Sequence, residues 1–193
     1  MFPRIVFSDF DGTLTHGSSL GSIFFKIISL IHENKSNLVI VTGRSLSWAH
    51  FLLTHTEIKT VISEGGGMLS LKHDDERIED ICLVTEAELT DLHTCISNFH
   101  LKFPHLPLSI DSFGRKTDRA IELYELSDLK KSIQEFLDSY KIHHSCSSVH
   151  LNFWKGEISK YNAVKYFMDN FISGVTEKEC IYFGDSLNDE SMF

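Results

Sequence analysis

The sequence lacks both an excess of positive charge and paired cysteines. Its 18 Lys and Arg residues against 27 Asp and Glu residues give a net charge of −9, which argues against general nucleic-acid binding. None of the 4 cysteines forms a C-x-x-C pair, so neither a zinc ribbon nor a redox motif is indicated. Reduced thiols, as in a cytoplasmic protein, are the expectation that follows.

A signal peptide and a long apolar run are also missing. The most apolar helical segment, residues 23–31, is interrupted by Lys26 and is too short to cross a bilayer. We therefore expect a cytoplasmic protein with neither a membrane nor a nucleic acid among its partners. The sequence does not indicate an oligomeric state.

Short apolar runs alternate with helical patterns along the chain. With 193 residues, of which 42% are hydrophobic, it can bury one sizeable core, or a core and a small second domain. Strands are predicted at residues 5–7, 38–41, 60–63 and 180–183, and helices at residues 20–35, 45–54 and 160–171. Apolar strands that alternate with helices predict a doubly wound parallel α/β sheet, a Rossmann-like core.

Two acidic residues follow the first apolar run, in the segment Asp9-Phe10-Asp11-Gly12-Thr13. Because the chain turns here, both carboxylates can converge at the carboxyl edge of the sheet, where α/β proteins bind ligands. Two carboxylates this close repel each other, so a bound cation or a shared proton is expected. Gly12 allows a ligand to approach the backbone closely. The alternative is a strand that runs into an ordinary Asp-Gly turn.

Two later segments place polar side chains at a strand end and at a helix start. Thr42-Gly43-Arg44 closes the second strand, where a hydroxyl and exposed amides suit a phosphate oxygen. Lys160 begins a helix, a position that the helix macrodipole disfavours for a cation. Lys160 is therefore a candidate to meet an anion, with an ordinary surface lysine as the alternative.

Asp185, Asn188 and Asp189 follow the last strand. Acids also cap helices, but in a parallel sheet these would lie beside the first motif. The four segments, in this order, resemble the four motifs of the haloacid dehalogenase superfamily. Residues 9–13 resemble its DxDGT motif, residues 41–44 the second, residues 159–164 the third, and residues 184–189 the fourth in its GDxxND form.

The resemblance implies a Mg²⁺-dependent phosphatase. Asp9 would attack phosphorus and form an aspartyl-phosphate, and Asp11 would serve as general acid and then general base. Thr42 and Lys160 would hold the phosphoryl oxygens. The expected metal ligands are the carboxylates of Asp9 and Asp185 and the backbone carbonyl of Asp11, with Asp189 holding a metal-bound water or orienting Lys160. Further phosphate contacts are expected from Gly12, Thr13, Gly43, Arg44 and Asn188.

Residues 82–153 show a different order of elements, αββαββ. Helices are predicted at residues 86–102 and 126–140, and strands at residues 108–113, 117–123, 142–147 and 149–154. This order is similar to the cap of the type IIB members, the Cof-type and sugar-phosphate phosphatases, which lies between the second and third motifs. We therefore predict a core domain of residues 1–81 and 154–193 and an inserted cap domain of residues 82–153. The charged residues 72–80 should form a hairpin or a linker.

Two groups of polar residues in the predicted cap have alternative interpretations. The first group reaches an anionic substrate or forms a solvated turn: Arg115, Lys116 and Arg119. The second group has the residue types of a structural metal site: His143, His144, Cys146 and His150. Strand alternation argues against a metal there, because it places His143 and His144 on opposite faces.

The cap placement implies a small phosphorylated substrate, with a sugar phosphate as the first expectation. A phosphomutase of the phosphomannomutase type shares the core motifs and would need a second phosphate clamp in the cap. A non-catalytic ligand-binding protein of the same fold is the other alternative. Two departures from the family stand out. Glu64-Gly65 replaces a frequent Asn-Gly pair, and the chain stops soon after the fourth motif, so we expect a truncated core with an exposed apolar edge and reduced stability.

Overall fold

The computed structural model describes residues 2–15, 20–126, 129–146, 150–185 and 187–193, with the backbone alone for residues 187 and 188. The strands are β1 (Ile5–Ser8), β2 (Asn37–Val41), β3 (Thr60–Ser63), β4 (Met68–Lys72), β5 (Ile78–Cys82), β6 (Asp118–Glu122), β7 (His143–Cys146), β8 (His150–Trp154) and β9 (Cys180–Phe183). The α-helices are α1 (Gly21–Glu33), α2 (Leu46–His55), α3 (Glu86–Lys102), α4 (Leu123–Leu126), α5 (Lys130–Ser139) and α6 (Lys160–Phe171).

The larger of two sheets has the strand order β5-β4-β3-β2-β1-β9. Strands β3, β2, β1 and β9 run parallel, whereas β4 and β5 are antiparallel to their neighbours. The predicted parallel α/β core is thus confirmed. The charged segment predicted as a hairpin or a linker forms the turn between β4 and β5, with Lys72 opposite Ile78.

Helices cover both faces of the larger sheet, because successive strand residues point to opposite sides. Val6 belongs to a buried cluster with Phe24 of α1 and Leu52 of α2. Phe7, the next residue, packs in a separate cluster with Phe167 of α6. The carboxyl ends of β1, β2 and β9 and the amino end of α6 therefore face the same edge of the sheet.

Strand β9 lies at the edge of the larger sheet. Two of its apolar side chains, Ile181 and Phe183, are 40% and 48% exposed. The edge strand thus carries partly exposed apolar side chains, while the expected truncation and loss of stability stay predictions. Within the described ranges, no helix combines the length and the apolar character that crossing a membrane requires.

The smaller sheet has the order β6-β8-β7 and is antiparallel. Its own buried cluster includes Phe99 of α3, Phe136 of α5 and Phe153 of β8. Cys82 still pairs within the larger sheet and Trp154 within the smaller one, so the predicted boundaries at residues 82 and 154 fall one residue inside these strands.

The predicted strand at residues 108–113 is wrong. A 3₁₀ turn spans Ile110–Gly114 instead, so the smaller sheet has three strands within the described residues and not four. The Ser112 hydroxyl donates to the carbonyl oxygen of Ala120 and accepts from its amide, at 3.2 and 3.0 Å. A side chain thus satisfies the backbone groups that a neighbouring strand would have paired with. Within the predicted helix at residues 126–140, α5 spans Lys130–Ser139, and Leu126 is the last residue of the short helix α4.

Candidate active site

The first and fourth motifs touch each other at the end of β1. Asp9 is 5% exposed, and its amide donates to the carbonyl of Phe183 at 2.8 Å. Gly12 has a φ of +80°, and a Cβ at this position would lie 2.1 Å from Oδ2 of Asp185. The Thr13 hydroxyl donates to Oδ1 of Asp185 at 3.4 Å. Glycine suits this position because its positive φ strains other residues, and a Cβ here would displace the Asp185 carboxylate.

Lys160 is a buried cation between two carboxylates. Its Nζ lies 3.0 Å from Oδ1 of Asp9 and 2.6 Å from Oδ1 of Asp189, and its side chain is 3% exposed. Helix α6 brings it here, because the Ser159 hydroxyl caps the helix by accepting the amide of Asn162 at 3.1 Å. A buried lysine is stable only when it is paired, and these two contacts provide the pairing. The surface-lysine alternative is excluded.

Asp189 is fully buried and heavily hydrogen-bonded. Besides Lys160, it accepts the hydroxyl of Tyr182 on Oδ1 and the amide of Asp185 on Oδ2. Sequence reasoning missed Tyr182. The available signal was strand alternation, since Tyr182 lies opposite Phe7 in the sheet and two residues before Gly184. Burial, with help from the hydrogen bond to Asp189, raises the pKa of Tyr182, so its hydroxyl stays a donor.

Three carboxylates form a possible metal site. Ligand oxygens of Asp9, Asp185 and Asp189 all lie within 4.8 Å of one another. Lys160 neutralises one of the three negative charges, so the cluster retains an excess of about two, which suits a divalent cation. An oxygen-only donor set matches the preference of Mg²⁺. The carboxylate of Asp11 lies outside this cluster, so the two carboxylates of the first motif do not converge as the sequence suggested, and a ligand role for the Asp11 backbone carbonyl stays a prediction.

Burial raises the pKa of Asp9 above its ordinary value, by more than the Lys160 ammonium lowers it. Additional positive charge beside Asp9 would favour its ionised carboxylate, the form that acts as a nucleophile. A divalent cation in the carboxylate cluster would provide that charge.

Asp11 points away from the cluster and pairs with Arg44. The guanidinium donates Nε to Oδ2 and Nη2 to Oδ1, both at 2.7 Å. This bidentate contact raises the pKa of Arg44, and the guanidinium lies over the ring of Trp48 at 4.8 Å. Asp11 remains accessible, with a side chain that is 45% exposed. The structure thus brings together two predicted site residues, Asp11 and Arg44, both of which are partly exposed to solvent.

Thr42 is buried at the end of β2. Its hydroxyl accepts the amide of Arg44 at 3.1 Å, and its carbonyl accepts the amide of Gly65 at 3.0 Å. The carbonyl of Gly43 accepts Nη1 of Arg115 at 3.1 Å. The loop at residues 42–44 is therefore held firmly on both sides. The predicted role of Asn188 concerns a side chain outside the described part of the chain.

Two of the three basic residues of the predicted cap, Arg115 and Arg119, donate to groups of the protein itself. Arg115 is buried and donates to Asp111 at 2.6 Å and to Asp118 at 2.7 Å. Arg119 donates to the carbonyls of Arg115 and Asp118. The charge of Arg115 is therefore paired within the protein, Nη1 of Arg119 is bonded to backbone, and Lys116 is exposed.

The four candidate metal ligands of the cap do not converge either. His144 pairs with Asp138 at 3.2 Å, and His150 with Glu122 at 3.1 Å, while His143 stacks on Trp154. Among the residues that the structure describes, the one group of three acidic, His or Cys side chains close enough to share an ion is the carboxylate cluster of the first and fourth motifs.

Comparison with known proteins agrees with this arrangement. A family model described as haloacid dehalogenase-like hydrolase matches residues 6–106 and 105–193 of the chain. A search of the curated proteins finds no match. Among solved structures, a Thermoplasma acidophilum protein has a TM-score of 0.72 at 17% identity, over 100% of this chain and 81% of that chain.

Two further solved structures share the fold. The C-terminal domain of C. albicans trehalose-6-phosphate phosphatase has a TM-score of 0.73 at 16% identity, over 99% of this chain and 72% of that chain. A sugar phosphatase of subclass IIB of the haloacid dehalogenase superfamily has a TM-score of 0.62 at 16% identity, over 98% of this chain and 83% of that chain. The resemblance to type IIB phosphatases is therefore confirmed at the level of fold.

Proposed function

The chain belongs to the haloacid dehalogenase-like hydrolases, and we propose that it is a Mg²⁺-dependent phosphate monoester hydrolase for a small phosphorylated metabolite. The observation that carries the proposal is the buried Lys160 between Asp9 and Asp189, with Asp185 completing a cluster of three carboxylates. Such a site offers a nucleophile, a cation for the phosphoryl group and ligands for a metal at one point.

The reaction takes two displacements at phosphorus. In the first, an oxygen of Asp9 forms a bond to phosphorus while the bond to the leaving oxygen breaks, and Asp11 gives that oxygen a proton. In the second, Asp11 takes a proton from a water molecule, whose oxygen attacks the aspartyl-phosphate. The Asp9 carboxylate and inorganic phosphate are released.

The remaining residues hold and orient the groups that react. Lys160 stabilises the charge on the phosphoryl oxygens and keeps the carboxylate of Asp9 directed at its target, and the loop from Thr42 to Arg44 supplies donors on the other side. Asp9, Asp185 and the backbone carbonyl of Asp11 would hold Mg²⁺, which would supply positive charge to the phosphoryl oxygens when bound. Arg44 occupies both oxygens of Asp11 and would free them by turning to the phosphoryl group of a substrate.

A sugar phosphate is the substrate that we propose first. Two solved structures of the same fold are a trehalose-6-phosphate phosphatase domain and a sugar phosphatase, and we keep residues 82–153 as the cap that selects the leaving group. The phosphomutase alternative is not favoured, because the buried ion pairs of Arg115 leave it unavailable for a second phosphate. The retained carboxylates argue against a non-catalytic protein.

The test is Mg²⁺-dependent phosphate release from a panel of sugar phosphates and from p-nitrophenyl phosphate. Asp9→Ala should abolish turnover, whereas Asp169→Ala, at an exposed position of α6, should leave it within twofold of the parent, as expected for a surface substitution. Residual activity of Asp9→Ala within tenfold of the parent would remove Asp9 as the nucleophile. Isomerisation of a hexose phosphate without phosphate release would favour the mutase.

A further inference from the structure

Glu64 follows β3 and is almost completely buried, with 1% of its surface exposed. We propose that Glu64 is a positioning residue that couples the cap to the loop carrying Thr42 and Arg44. The inference rests on the proposed function, because that loop belongs to the proposed phosphate site.

On the core side, Glu64 is bonded to the loop and to the start of α2. Its amide donates to the carbonyl of Arg44 at 2.8 Å, and its Oε1 accepts the amide of Leu46 at 3.1 Å. The neighbouring amide of Gly65 donates to the carbonyl of Thr42 at 3.0 Å. The first-turn amide of a helix is a favourable partner for a carboxylate. Glu64 and Gly65 together therefore fix the backbone on both sides of Gly43.

On the cap side, the same carboxylate accepts three donors. The amide of Lys116 lies 2.9 Å from Oε1 and 3.0 Å from Oε2. The amide and the hydroxyl of Thr117 lie 2.6 and 2.7 Å from Oε2. A shorter side chain at position 64 could not reach both the start of α2 and these donors. The length of the glutamate is therefore what allows it to join two parts of the chain.

A second bridge joins the same two segments. Arg115 donates to the carbonyl of Gly43 at 3.1 Å while it pairs with Asp111, and Asp111 in turn accepts the hydroxyl of Ser45 at 2.7 Å. Residues 111–118 of the cap and residues 42–46 of the core are thus held together at several points. Since Arg44 holds Asp11, a movement of the cap would be transmitted to the proposed general acid.

The backbone at Glu64 supports a positioning role. Its φ is +54°, a left-handed conformation that asparagine and glycine adopt more readily than glutamate. Substituting asparagine should therefore relax the backbone while it removes the bridge. Glu64→Asn should therefore lower activity without a matching loss of stability, whereas a purely structural role predicts that both fall together.

The test compares Glu64→Asn with Glu64→Gln and with the control Glu76→Asn. Glu76 shares the left-handed backbone but is exposed and pairs with Lys72. In Glu64→Asn we expect the amides of Leu46, Lys116 and Thr117 to exchange hydrogen about tenfold faster or more, since each loses a bond to a charged acceptor. The control should leave their exchange unchanged.

Activity gives the second readout. We expect kcat to fall in the order parent, Glu64→Gln, Glu64→Asn, by about tenfold or more for asparagine, whereas the melting temperature should not follow this order. Thr117→Val, which leaves the core side of Glu64 intact, should give a smaller loss and serves if the Glu64 variants fail to fold. Unchanged exchange at Lys116 and Thr117, or a kcat within twofold of the parent in every variant, would overturn the inference. If the parent releases no phosphate, the proposed function fails, while exchange still decides whether Glu64 joins the two segments.

Discussion

Replacing Lys160 with methionine tests the charge balance of the site most directly. The substitution keeps the length of the side chain but removes the ammonium that lies 3.0 Å from Asp9 and 2.6 Å from Asp189. Each contact corresponds to a gross attraction of about 6 kcal/mol at an effective dielectric constant near 20. Most of this is offset by the desolvation of the lysine, and the measured cost of breaking a buried ion pair is about 3–5 kcal/mol.

We therefore expect Lys160→Met to lose about 3 kcal/mol of unfolding free energy, which lowers the melting temperature by roughly 6–12 °C in a chain of this size. Urea unfolding with and without Mg²⁺ measures the effect. Without the Lys160 ammonium, the three carboxylates should bind Mg²⁺ more tightly, so Mg²⁺ should raise the unfolding free energy of the variant by more than that of the parent. Phosphate release should fall by at least about a hundredfold.

The matched control is Lys165→Met, on the same helix, where the side chain is 62% exposed and pairs with Asp169 at 3.7 Å. An exposed pair contributes little, so its loss should change stability by less than about 0.5 kcal/mol. A stability for Lys160→Met within about 1 kcal/mol of the parent would refute the reasoning, because two buried carboxylates would then tolerate the loss of their shared cation.

Three further outcomes are expected. Burial raises the pKa of Asp118 to about 6, so the carboxyl binds a proton more tightly in the folded protein than in the unfolded one. The unfolding free energy of the parent minus that of Asp118→Asn should therefore fall as the pH rises from 4 to 7, and a difference that increases with pH would contradict this. In urea titrations, Gly66→Ala should destabilise the fold far more than Gly174→Ala. Both glycines have a positive φ, but of the two only Gly66 would bring a Cβ against backbone, at 2.3 Å from the carbonyl oxygen of Ser159. Burial raises the pKa of the Cys95 thiol to about 11, so a maleimide should label the exposed Cys146 in the folded protein and Cys95 only after unfolding. Mass spectrometry of the labelled peptides measures this.

Much of the site could be predicted, because its members follow strand ends or begin a helix. In a parallel sheet those ends meet at one edge, so Asp9, Asp185, Asp189 and Lys160 had to lie near one another once the strand order was recognised. The contact distances agree with this. The roles of these residues in catalysis stay predictions.

The failures have a common physical cause. The segment at residues 108–113 has an apolar pattern, yet Ile110 and Phe113 are 86% and 95% exposed, because it forms a 3₁₀ turn whose Ser112 hydroxyl bonds the backbone of the edge strand β6 in place of a strand ladder. Arg115 was predicted to be a substrate contact or part of a solvated turn, but it is buried and paired with Asp111 and Asp118. In both cases the outcome depends on which distant groups satisfy a backbone or a charge, and local sequence does not encode that choice.

The sequence by itself determined the parallel α/β core and the order of the four motifs, because hydrophobic periodicity and strand-end chemistry are local properties. It also indicated that Asp9, Asp185 and Asp189 lie near one another at the edge of the sheet. Only the tertiary structure decided that Tyr182 donates to Asp189 and that Glu64 bonds both the loop and the cap. Such contacts join residues that are remote in sequence or lie on different elements, and their geometry follows from packing the whole chain.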